Sequence, residues 1–370
     1  MLNNRFSHIG LSLLITLLSL IPAQILHADP IFLHQGYKVH NLVSDPSFLG
    51  GADHQDSDLV NAWGIAFNPD AVVWVNDNGT GKSTLYNGKG EKQGLVVTVP
   101  PSAPTGIVFF GGRNDFIVTA DSKSAPSSFI FSTEAGTIAS WASVAGTTAV
   151  EMVNNSATGT VYKGLALSTD GQRYLLYATD FHNAKVDVFD GKFQPVSLGI
   201  DAFKDPKIPA GFAPFGIQAI NGVIFVTYAK QDKDAHDDVP GPGLGFVDAF
   251  DANGILLKRV AAHGKLNSPW GLALAPANFG KFSNHLLVGN FGDGSIIAFD
   301  LTNPSIFGGT KLRQTDGSPL IIDGLWGIGF GNGLHNLDTN ALFFTAGPNG
   351  ENNGLFGRIE AVSGHSGIDN

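Results

Sequence analysis

Cysteine is missing from all 370 residues. That excludes disulfides, thiolate metal sites and cysteine nucleophiles together. Charge is scarce as well: only 15% of residues are Asp, Glu, Lys or Arg, and 22 basic residues face 32 acidic ones, for a formal net charge of −10. Nucleic acids and anionic lipid surfaces are bound through neutralisation by lysine and arginine, so this balance argues against both as partners. After residue 28 no apolar run approaches the roughly 18 residues needed to cross a bilayer, so no membrane span is expected in the mature chain. Local signatures of catalysis are equally lacking. No Gly-rich phosphate loop, HExxH, GxSxG or Cys/His zinc spacing occurs.

What the chain has in excess is glycine, at 47 residues, together with 27 phenylalanines. That composition suits an all-β chain with tight turns and a large core. A Gly followed by aliphatic residues opens the same unit six times: Gly64 (WGIAF), Gly106 (TGIVF), Gly164 (KGLAL), Gly216 (FGIQA), Gly271 (WGLAL) and Gly327 (WGIGF). A short apolar strand follows each opening, then a third and a looser fourth, separated by Gly, Asn, Asp or Pro. The unit length is that of a four-stranded propeller blade. The expected fold is therefore a six-bladed β-propeller of four-stranded antiparallel blades. In the second unit the later strands are expected at Phe116 to Thr119, Ser128 to Phe131 and Ile138 to Trp141, with a loop from Val144 to Thr160. In the third unit the outer strand is expected at Val196 to Ile200, and in the fifth at Leu320 to Ile322. The sixth unit runs out before its fourth strand, while Tyr37 to Val43 stands alone before the first. We expect this N-terminal strand to complete the last blade and close the ring, because an open ring leaves bare strand edges. The repeated Gly permits close backbone approach in the crowded inner strands.

Residues 1–28 read as a signal peptide, with Arg5 before an apolar run from Ile9 to Ile21 and Ala23 or Ala28 as cleavage positions. The expected domains are thus a signal peptide at 1–28, one propeller at 29–362 and a disordered tail at 363–370, in a secreted or periplasmic monomer. The loops entering the inner strand and joining strands two and three lie on one face of a propeller, so their polar residues converge on a mouth. Asp77, Asp121, Asp180 and Asn290 end second strands in four units. Turn capping by Asp and Asn accounts for these residues; the competing reading is a ring of oxygen donors for a hard cation, with Ca²⁺ as the cofactor it would take. Trp63, Trp270 and Trp326 either pack between blades or line the mouth with Asn61. A 13-residue insertion from Gln231 to Gly243 adds Gln231, Asp232 and His236 as candidate ligand contacts, since long loops on a regular scaffold commonly carry function. No catalytic residue is assigned. Asp53, Asp56 and Asp58 crowd an acidic loop that lacks the Gly and closing Glu of an EF-hand.

The pattern N-x-x/P-W-G-[IL]-A-[FL], with V-x-[DN]-N and F-D following, resembles the NHL-repeat class of propellers. Leu59-Val60-Asn61-Ala62-Trp63-Gly64, Asn76-Asp77-Asn78-Gly79-Thr80-Gly81, Tyr228-Ala229-Lys230-Gln231-Asp232, Leu266-Asn267-Ser268-Pro269-Trp270-Gly271-Leu272 and Phe343-Phe344-Thr345-Ala346-Gly347-Pro348-Asn349 are similar to a family of secreted bacterial propeller proteins without an established activity. In architecture only, the chain also resembles gluconolactonase- and paraoxonase-type propellers, which hold Ca²⁺ on the axis; the Glu those propellers use has no counterpart in the first unit here. The resemblance implies a fold and no chemistry. The function expected is a ligand-binding or interaction scaffold for a small molecule, glycan or protein at the mouth, with a Ca²⁺-dependent hydrolase or lactonase as the alternative.

Overall fold

The structure, a computed structural model, describes residues 36–302 and 308–362. The signal-peptide and tail assignments at 1–28 and 363–370 lie outside the described residues. The chain forms a six-bladed β-propeller, each blade running outward from an inner strand. The first blade comprises Ala62–Phe67, Val73–Asp77, Lys82–Tyr86 and Lys92–Thr98, and the fourth Phe212–Ile220, Val223–Lys230, Gly245–Phe250 and Leu256–Ala262. The sixth has Leu325–Phe330, Leu342–Ala346 and Leu355–Val362, and its outer strand is the N-terminal Gly36–Ser44. That strand runs antiparallel to Leu355–Val362, from Gly36 opposite Val362 to Ser44 opposite Leu355, and closes the ring as expected.

Three blades depart from the expected strands. In the second, Pro104–Phe109 pairs directly with Phe129–Thr133, followed by Thr137–Trp141 and Val150–Asn154. Residues Ile117–Ala120 and Lys123–Pro126 form a separate two-stranded hairpin turned by Asp121 and Ser122, both at positive φ (48° and 63°). The expected loop 144–160 therefore contains the outer strand of this blade. In the third, Tyr162–Thr169, Tyr174–Asp180 and Lys185–Asp190 have no fourth strand; residues 196–200 touch the edge only near Val188, through Val196 N–H to Val188 O at 2.8 Å. In the fifth, Pro269–Leu274, Leu286–Asn290 and Ile296–Phe299 are joined by Thr310–Lys311 in place of 320–322.

The repeated glycines lie where one blade's inner strand meets the backbone of the next. A Cβ on Gly64 would come within 2.3 Å of Thr105 O, and one on Gly216 within 2.0 Å of Trp270 O. A polar side chain on the second strand secures the same joint. Thr179 Oγ1 donates to Phe215 O at 2.7 Å, Asn76 Nδ2 to Thr105 O at 3.0 Å, and Thr345 Oγ1 to Trp63 O across the closure. Aromatic and aliphatic side chains fill the space between blades, as where Trp74 stacks on Phe129 at 4.0 Å.

Candidate functional site

Immediately before each repeated glycine stands one residue of a ring around the axis: Trp63, Thr105, Lys163, Phe215, Trp270 and Trp326. Trp326 is sandwiched, stacking on Trp63 at 3.6 Å and on Phe291 at 3.9 Å, while Trp270 stands edge-on to both indoles. Trp63 and Trp326 are buried, and Trp270 is half-buried with its Nε1 donating to Lys163 O at 3.0 Å. The tryptophans thus plug the axis, and Trp270 keeps some exposure at the mouth.

Lys163 is the exception in this ring. Its side chain is 2% exposed, and its ammonium reaches Glu134 Oε1 at 2.5 Å and Asp237 Oδ1 at 3.1 Å, with the Trp63 ring 5.3 Å away. A buried ammonium is tolerated only when paired. Burial pushes its pKa down, but the charges of Glu134 and Asp237 outweigh that and hold it above the ordinary lysine value. From Lys163 a hydrogen-bonded chain runs both ways along the mouth. On one side Glu134 Oε2 accepts from Asn78 Nδ2 at 2.9 Å, Asn78 Oδ1 from Asn61 Nδ2 at 3.2 Å, and Asn61 Oδ1 from Trp326 Nε1 at 2.9 Å. On the other, Asp237 Oδ1 lies 2.9 Å from His236 Nδ1. Asn61, Trp326 and His236 are therefore joined in one network across five blades. Trp63 Nε1 is a buried donor without a partner.

Two further acids stand beside this network. The Glu351 carboxyl is pushed up to about 7, by burial first and then by the charge of Glu134, with Lys163 opposing. Burial likewise raises Asp238, against the Ser268 hydroxyl. Asp237 is held low: burial would raise it, but Lys163 and His236 more than compensate. Among the described residues, Glu134, His236 and Asp237 form a group whose ligand atoms all lie within 4.8 Å of one another. The lysine ammonium already sits against two of the three, so the protein supplies its own cation where a cluster of carboxylates would otherwise repel.

The other expected contacts sit differently. Gln231 Nε2 donates to Phe181 O at 2.6 Å, and Asp232 Oδ1 accepts from the backbone of Asp234 and His236; both shape the insertion. The four oxygen donors expected around one axis do not meet. Asp180 is bonded to Thr160 and Asn183, and Asn290 to Lys265 O and Ser295, so each ties its own turn to the loop that enters the inner strand of the same blade. Asp77 is fully buried, and its two carboxylate oxygens have no hydrogen-bond partner; burial pushes its pKa well above the ordinary value. Asp121 is exposed at the tip of the inserted hairpin. For three of them the physical reason is strand alternation: the last residue of the second strand points into its blade, and the following one, Asn78, Phe181 or Phe291, faces the axis; Asp121 lies on the inserted hairpin, off the blade. Asp56 and Asp58, in the acidic loop, are bound by Lys92 at 2.7 Å each and do not form a solvated patch.

Lys163 and Glu134 escaped the reading of the sequence. Lys163 was visible as the charged member of a position otherwise held by Trp, Phe or Thr. Glu134 is hidden, because it follows a second strand, Phe129–Thr133, that the hairpin at 117–126 displaces from its expected place.

No family model matches the chain. Two uncharacterised proteins of Acanthamoeba polyphaga mimivirus, R648 and L690, are 33% and 32% identical over 335 residues, which is 87% of this chain and 80% and 85% of theirs. Among solved structures, a streptogramin B lyase superposes with a TM-score of 0.52 at 13% identity, over 88% of this chain and 97% of its own. A luciferin-regenerating enzyme gives 0.51 at 13% identity, over 90% and 99%. At that identity the likeness is one of fold.

Proposed function

The chain belongs to the family of the mimivirus proteins R648 and L690, and from that premise we propose that it is a ligand-binding propeller whose mouth takes a small organic cation. One observation carries the reading. Glu134 and Asp237 share a single ammonium, that of Lys163, while Asp238 and Glu351 feel the same charges without touching it, and the surplus of negative charge is what, after burial, lifts Glu351. A ligand ammonium brought beside Glu351 and Asp238 relieves that repulsion, and the half-buried rings of Trp270 and Phe291 offer faces for a cation. Export through residues 1–28, NHL-like repeats and a monomeric state belong to the same proposal.

A second reading places Ca²⁺ on the donor group of Glu134, His236 and Asp237. Calcium takes six to eight oxygens and would have to displace the Lys163 ammonium, so the organic cation is preferred.

Melting temperatures with putrescine, choline or CaCl₂ at pH 6 and pH 8 distinguish the readings. Binding at a hundredfold excess over Kd adds about 2.7 kcal/mol of stability. We expect the organic cations to raise Tm at pH 8, where Glu351 is ionised, and less at pH 6; Asp238→Asn should reduce the effect. A response to CaCl₂ alone would favour the second reading, and no response to any cation would sink both.

A further inference from the structure

At the opposite end of the axis the inner strands diverge into a cup of about 590 Å³, to which all six contribute. Its floor is made by aliphatic residues that follow the repeated glycines, such as Ile65 and Ile328, and its wall by Phe67, Phe109, Leu167, Leu274 and Phe330. It is blind to anything larger than a water molecule, because inward it narrows to a void of about 20 Å³ between the repeated glycines, bounded by Trp270. None of the residues lining it is charged. A wet vestibule at the end of a ring has no physical need of phenylalanine and leucine. The ring side chains are apolar, but backbone groups and the Gln218 and Asn221 amides share the surface that faces the space, so a guest gains by covering the rings while also pairing with a polar group. The volume falls within the range of small-molecule pockets, which are mainly apolar with a few polar groups that fix orientation.

One polar side chain answers that description. Gln218, on the inner strand of the fourth blade, is exposed in the cup, and its side-chain amide makes no hydrogen bond to the described protein. In the other five blades the aligned residue is Ala66, Val108, Ala166, Ala273 or Gly329, so the amide is a single departure in an otherwise apolar ring. Asn221, at a turn with positive φ, stands at the rim.

We propose that this cup is a second binding site, taking a neutral, compact apolar molecule whose carbonyl or hydroxyl group pairs with Gln218. It differs from the mouth in every chemical respect and does not depend on the mouth's function. The lack of charge excludes ionic ligands, and the blind floor limits the guest to what 590 Å³ encloses.

The test uses two fluorophores, 6-propionyl-2-(dimethylamino)naphthalene and 2-(dimethylamino)naphthalene, which differ by the ketone. Both should bind the intact protein saturably at one site with blue-shifted emission, the ketone more tightly. Gln218→Leu should weaken the ketone about tenfold, the loss of one hydrogen bond, and leave the parent amine within twofold. Ala219→Trp combined with Leu167→Trp should crowd the cup from two blades and weaken both probes about tenfold or more while the melting curve is retained; if that double variant does not fold, either single substitution should weaken both. Absence of saturable binding, undiminished binding to a folded cup-filling variant, or equal loss of both probes in Gln218→Leu would each overturn the proposal.

Discussion

Glu351 gives the mouth a measurable pH dependence. Its folded pKa of about 7 lies above the ordinary 4.5, so folding favours its protonated form. Its contribution to stability is complete below about 4.5 and is lost as pH rises to 7, at most about 3 kcal/mol from 1.36 kcal/mol per pKa unit. Glu351→Gln removes this titration, so the variant should gain stability relative to wild type between pH 5 and pH 8. Urea unfolding at the two pH values measures it, and a difference between the proteins that does not change with pH would refute the assignment. At this scale the sequence was a partial guide. Asn61, the three tryptophans and His236 were legible because they stand at repeat positions or in a conspicuous insertion. Glu134 and Glu351 draw their meaning from Lys163, a partner that lies 29 and 188 residues away in sequence, and no local pattern announces such a pairing.

The repeated Gly is explained by elements in contact. A Cβ on Gly271 would lie 2.6 Å from Trp326 O and 3.0 Å from Ile328 Cγ1. Gly271→Val forces two inner strands apart and should cost about 2–4 kcal/mol through overpacking, read from chemical denaturation; an unchanged midpoint would show that the joint is slack. Strand existence was readable from apolar runs and turn residues, but strand membership was not. Residues 116–119 have the composition of a blade strand, and only the pairing of Phe129 with Phe109 reveals that the hairpin stands aside. Likewise Val196 to Ile200 has the apolar content of a strand but makes a single bond to the blade edge, Val196 N–H to Val188 O. Between the third blade's bare edge and residues 195–204 lies a cavity of about 430 Å³, where the other blades have a fourth strand.

The ring as a whole depends on its first described strand. A chain lacking residues 1–44 loses the partner of Leu355–Val362 and exposes an unpaired, largely buried strand. We expect it to be recovered as aggregate; a soluble, cooperatively melting product would refute closure by this strand. That architecture was legible because six openings demand six blades and the last lacked a strand.

The closure also has a direction. Gly36 and Val362 are register partners, so the two ends of the described ring lie at the same end of the antiparallel pair. Tension applied between them meets the hydrogen-bonded pairs in series, one after another, and not all together in shear. A ring that heat must melt as a unit is therefore, when drawn apart by its ends, a zipper whose first teeth are Gly36 and Val362.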